Sequence, residues 1–129
     1  MPAFLLPRLP VADVKANGFD GPITISRSDL LSVSISLSPG DFAGVKADWW
    51  LLALTPKGWY HFDMSSGWLP GKNVTRQGNI RNVPLYPVSQ TSGLPAGTYI
   101  FIFGVDFLVN DVVNSDQAEY DSVKVKIIP

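Results

Sequence analysis

The stretch LLSVSISLSPGD, residues 30–41, limits what this chain can fold into more than any other. Leu31, Val33, Ile35 and Leu37 alternate with Ser32, Ser34, Ser36 and Ser38. Residues two apart share a face on a strand but not on a helix. An apolar face backed by a serine face describes a strand buried on one side and wet on the other. The SPGD that follows ends it in a turn.

Other segments repeat the theme. ADWWLLALTPKG (47–58) reads as a strand apolar on both faces and closed by TPKG, with GWYHFDM (58–64) at hairpin distance. IRNVPLYPV (80–88) is broken by Pro84 and Pro87, which donate no ladder hydrogen bond, so an edge strand is expected. In LPAGTYIFIFGVDFL (94–108), Tyr99, Phe101, Phe103, Val105 and Phe107 share one face, Ile100 and Ile102 the other. In YDSVKVKII (120–128), Val123, Val125 and Ile127 point inward. Lys124 and Lys126 point outward, where lysines guard a sheet edge. VADVKANGFDGP (11–22) reads as a short strand and a turn, and SSGWLPGKN (65–73) as a loop.

The pattern predicts an all-β chain of seven to eight strands, arranged as a two-sheet antiparallel sandwich. An up-and-down barrel is the alternative closure. Residues 1–10 form an extended, proline-broken arm, and residues 11–129 a single domain. Two details point to the immunoglobulin-like kind of sandwich. A tryptophan (Trp49 or Trp50) sits on the third main strand, and AGTY enters the penultimate one, where a tyrosine often locks the corner.

Composition removes whole classes of function. A net charge of -1 offers no basic excess to follow a phosphate backbone, so nucleic acid is not an expected partner. The absence of cysteine excludes disulfides, thiolate metal sites and a cysteine nucleophile. No apolar run reaches membrane-spanning length. The opening MPAFLLPRLP is not a secretory signal as it stands, and the chain is expected to come from a longer precursor.

Three groups of residues invite a chemical reading. GVDFLVNDVVNSDQAEYD (104–121) gathers Asp106, Asp111, Asp116, Asp121 and the only glutamate, Glu119, with Asn110 and Asn114. It is either a metal loop or a solvated inter-strand hairpin. Trp49, Trp50, Trp59, Tyr60 and Trp68 crowd together in sequence, and flat aromatic faces stack on sugar rings. Trp68, Trp59 and Trp50 are the carbohydrate candidates, with Trp68 the exposed platform in its loop. Trp49 and Trp50 face opposite ways on a strand, so one is core and the other outward or covered by a loop. His61, the only histidine, alternates with Tyr60 and Phe62 and is expected to be exposed. There is no GxSxG elbow, and the aspartates sit in turn contexts such as FDG, PGD and RSD. The chain is therefore not expected to be an enzyme.

Several phrases together carry a resemblance: NGFDGPITIS, LSVSISLSPGDFAGVKADWWLLA, GWYHF, LPAGTYIFIFGVD and YDSVKV. They resemble an uncharacterised β-sandwich domain at the C-terminal ends of large secreted or surface proteins of proteobacteria. The resemblance spans residues 16–128. It implies architecture and a secreted or cell-surface location, and it carries over no catalytic residue. It also implies a calcium loop after FGVD. Calcium takes about six to eight oxygens from alternate positions of a turning loop. Asp106, Asn110, the Val112 carbonyl and Asn114 keep that spacing. Leu108, Asp111 and Gln117 break it, and Asp116 is a further candidate ligand. The expectation is a non-catalytic extracellular module for adhesion, spacing or assembly. Its partners are other domains or subunits, or carbohydrate, with self-association through a free edge.

Overall fold

The computed structural model describes residues 6–110, 112, 114 and 118–129. Among these, ten strands form: β1 (Val11–Ala16), β2 (Ile23–Ser26), β3 (Leu31–Ser38), β4 (Lys46–Thr55), β5 (Gly58–Asp63), β6 (Gly67–Pro70), β7 (Arg76–Asn79), β8 (Val83–Thr91), β9 (Gly97–Asp106) and β10 (Ala118–Ile128). They make two sheets. The first has the order β1-β3-β8. The second has the order β2-β10-β9-β4-β5-β6, with β7 alongside the first half of β4.

Burial follows the alternation. Leu31, Val33 and Leu37 of β3 are buried, and so are Tyr99, Phe101, Phe103 and Val105 of β9 and Val123, Val125 and Ile127 of β10. With Trp49, Leu51 and Ala53 of β4 and Val14 and Ala16 of β1, they form one core between the sheets. Burying side chains of this size is worth roughly 1.5–3 kcal/mol each, which drives the two sheets together. Phe107 lies just past the end of β9, where it meets Phe42 with ring centroids 5.1 Å apart.

The structure corrects the sequence reading in several places. Ten strands form among the described residues instead of seven or eight: GWLP, expected in a loop, is a short strand, and so are ITIS and RQGN, for which the sequence carried no strand expectation. The sheets are not wholly antiparallel, since β2 runs parallel to β10 (Ile23 opposite Val125, Ser26 opposite Ile128). That pairing also moves β10 off the edge, so Lys124 and Lys126 line an exposed face rather than guard a border. The proline-broken β8 does lie at an edge, as its missing donors require.

The first strands set the direction of the whole molecule. Val14 N donates to Asp121 Oδ2 at 2.9 Å, so β1 lies against the first half of β10. After the turn at 17–22 the chain leaves the first sheet and continues along the second half of β10 as β2. Residues 14–26 therefore track β10 in the same direction. The chain enters at the pole where β10 begins and leaves at the pole where it ends. The 11 residues of β10 separate these poles by about 35 Å.

Candidate functional site

At the entering pole, β4 and β9 bring two acids together. Asp48 and Asp106 are register partners, and both are fully buried. They lie on the face of the second sheet that points away from the core, beneath the segment that follows β9. A buried carboxylate is costly unless it is hydrogen-bonded or binds a metal. This segment supplies the donors. Asp106 Oδ1 accepts from Leu108 N and Oδ2 from Asn114 N, each at 2.9 Å. Asp48 Oδ2 accepts from Asn110 N at 3.1 Å. With its Nδ2 inward, the Asn114 carboxamide donates to Asp106 Oδ2 and Asn110 Oδ1, both at 3.0 Å, and to Val112 O at 2.9 Å. The hydrogen-bond network selects that orientation.

The calcium candidates Asp106, Asn110 and Asn114 are thus brought together, while Asp116 lies outside the described residues. Turned the other way, the Asn114 oxygen would join three others around one point. Four loop oxygens supply only part of the shell calcium takes, and Leu108 contributes no side-chain oxygen. These N–H groups and oxygens satisfy one another as a latch that ties Leu108, Asn110 and Asn114 to the ends of β9 and β4. Sequence reading missed Asp48. Its one signal was an acid inside the otherwise apolar, two-faced ADWWLLAL.

A second acidic group ties β1 to β10. Asp13, Asp20 and Asp121 each place a carboxylate oxygen within 4.8 Å of the others. Lys15 Nζ bridges two of them, at 3.2 Å from Asp13 and 2.7 Å from Asp20. Burial pushes the Asp13 pKa up, whereas the hydrogen bond from Lys15 pulls that of Asp20 down. The bond to Asp20 raises Lys15 in turn.

The carbohydrate candidates are not brought together. Trp50 is 4% exposed, on the same face as Asp48. Trp59 is half-buried on that face too, with Lys72 Nζ 4.9 Å from its ring centroid. Trp68 is on β6 and turns inward, not outward as a platform. It packs edge-on against Phe62 at 5.3 Å and against Phe101 at 5.7 Å. His61, expected to be exposed, is 6% exposed, with Nδ1 3.1 Å from Gly71 O. Gly71 follows the last residue of β6, and its own N–H donates to Trp59 O at 2.8 Å.

The sheets differ in width, and the difference leaves an opening. The first sheet stops at β8, while β5 and β6 extend the second beyond it. Two clefts result along the inner side of β8. One, of about 280 Å³, lies toward the leaving pole between Tyr60, Trp68, Ser89 and Leu94. The other, of about 540 Å³, lies between Phe62, Arg76, Arg81 and Leu85. Neither arginine was anticipated from the sequence. No family model, curated protein or solved structure was found to match the chain.

Proposed function

We propose that this chain is a non-catalytic, immunoglobulin-like module that serves adhesion, spacing or assembly within a larger secreted or cell-surface structure. Three features support the immunoglobulin-like reading. The first edge of the chain is split between the two sheets, β1 in one and β2 in the other. Trp49 is a core anchor on β4, and its Nε1 donates to Gly78 O at 3.1 Å. The Tyr99 hydroxyl donates to Pro95 O, four residues upstream, at 2.8 Å, the arrangement of a tyrosine corner.

The observation that carries the spacing role is the separation of the two poles. A module entered at one end and left at the other holds its neighbours apart in a chain of domains. The clamps described above join the entering strands to β10 and so support a fixed separation. A direct test fuses a donor fluorophore domain before residue 6 and an acceptor after residue 129. A spacer gives one narrow transfer-efficiency population that stays unchanged up to the global unfolding transition. A broad population, or one showing the two ends adjacent, would sink the reading.

A further inference from the structure

The geometry points to a binding site in the larger cleft beside β8, for a small amphipathic anion: an aromatic or aliphatic body carrying a carboxylate or comparable acid. This goes beyond the spacing role and does not depend on it. The cleft has the volume of a small-molecule site, about 540 Å³. Its walls are apolar, with Phe62 below and Val83, Leu85 and Val88 along β8. Its charged groups are of one sign. Arg76 and Arg81 line it, no acid does, and neither arginine forms an ion pair among the described residues.

Arg76 is held for this work. Its guanidinium carbon lies 6.0 Å from the Trp49 ring centroid, a cation–π arrangement. A guanidinium edge matches a carboxylate in a bidentate pair, which an ammonium does not reproduce. Leu85 and Tyr86, 60% and 59% exposed, offer apolar surface at the mouth. The site therefore presents a greasy floor and a cationic rim, and an uncharged ligand would use only the floor.

The occupant is a small molecule rather than an added peptide strand. Strand addition draws its affinity from main-chain hydrogen bonds along a free edge. Pro84 and Pro87 interrupt that edge in β8 and remove two donors.

The test titrates the protein with the anionic probe 1-anilinonaphthalene-8-sulfonate and with uncharged N-phenyl-1-naphthylamine. Binding is followed by fluorescence and by amide NMR shifts. The site predicts saturable binding of the anion, with shifts centred on residues 75–88. Arg76→Gln with Arg81→Gln should weaken the anion roughly tenfold or more, the scale of a lost charged hydrogen bond, and change the uncharged probe less than about twofold. The Arg-to-Lys pair should recover only part of the loss. Undiminished anion binding in the glutamine variant, equal losses for both probes, or shifts centred elsewhere would each overturn the assignment. The fused-fluorophore separation is unaffected by any of these results.

Discussion

Asp48 on β4 and Asp106 on β9 stand directly opposite each other in the ladder, both fully buried, and each accepts a backbone N–H from the segment after β9. Like charges directly opposite are ordinarily unfavourable in a sheet. Here the donors of Leu108, Asn110 and Asn114 compensate, and the segment is pinned in return. Asp106→Ala orphans two of those N–H groups and one end of the Asn114 carboxamide. It should cost about 2–4 kcal/mol in urea unfolding. A cost within about 0.5 kcal/mol, the scale of an ordinary surface change, would show that the latch contributes little.

The same cluster makes a statement about calcium. With the Asn114 nitrogen inward the oxygens already have their donors. The thermal midpoint should therefore stay within about 1 °C between millimolar calcium and chelator. A ligand held at a hundred times its dissociation constant adds about 2.7 kcal/mol, a shift of several degrees for a domain of this size. A rise of that kind would mean that the carboxamide is turned and the loop oxygens are ligands.

Tyr99 offers a cleaner single-atom test. Its ring is buried, and its hydroxyl, whose pKa burial pushes up, donates to Pro95 O. Tyr99→Phe removes the donor and keeps the ring. It should cost roughly 1–2 kcal/mol and leave the denaturant slope unchanged.

How far the sequence went depended on whether a residue's neighbours were close along the chain. The alternation of Leu31, Val33 and Leu37 with serines, and of Val123, Val125 and Ile127 with lysines, encodes each strand's inner face locally, and burial matches it. Pro84 and Pro87 encode the edge position of β8 in the same local way. GWLP looked like loop, and RQGN carried no strand signal, because their strand character comes from β5 and β4, which they meet across the sheet. Trp68 looked exposed for the same reason, since Phe101 lies 33 residues away. The spacing of Asp106, Asn110 and Asn114 was legible, but their partner Asp48 comes from another strand 58 residues earlier.

The arm at the entering pole should respond to acid. Arg8 N donates to Asp41 Oδ2 at 2.7 Å, and the Arg8 guanidinium meets Oδ1 at 3.0 Å. The Arg8 backbone N–H, and then its side chain, hold the Asp41 pKa below its ordinary value of 3.8. A carboxylate depressed by folding stabilises above its unfolded pKa and loses that contribution as pH falls through the folded one. The Arg8 amide NMR signal should therefore move toward its unfolded position as pH falls below about 3.8, while the core signals hold. Gly40 has φ +58° and faces the Arg8 and Leu9 carbonyls where a Cβ would stand, so Gly40→Ala should release the arm at neutral pH. An Arg8 signal indifferent to both changes would show that the arm is held elsewhere.

The spacing role is tested most directly by pulling tandem copies apart through their chain ends. Tension enters before β1 and leaves after β10, and it shears the parallel β2–β10 pair along its length. Arg27 N, which donates to Ile128 O at 3.0 Å, closes that pair at the leaving pole. Forced unfolding reads the barrier rather than the equilibrium. A tension-carrying spacer should unfold in one cooperative peak per copy, at a force that drops when Ile25→Pro and Arg27→Pro interrupt the pair. Unfolding in several weak steps, or at a force the two prolines leave unchanged, would contradict it.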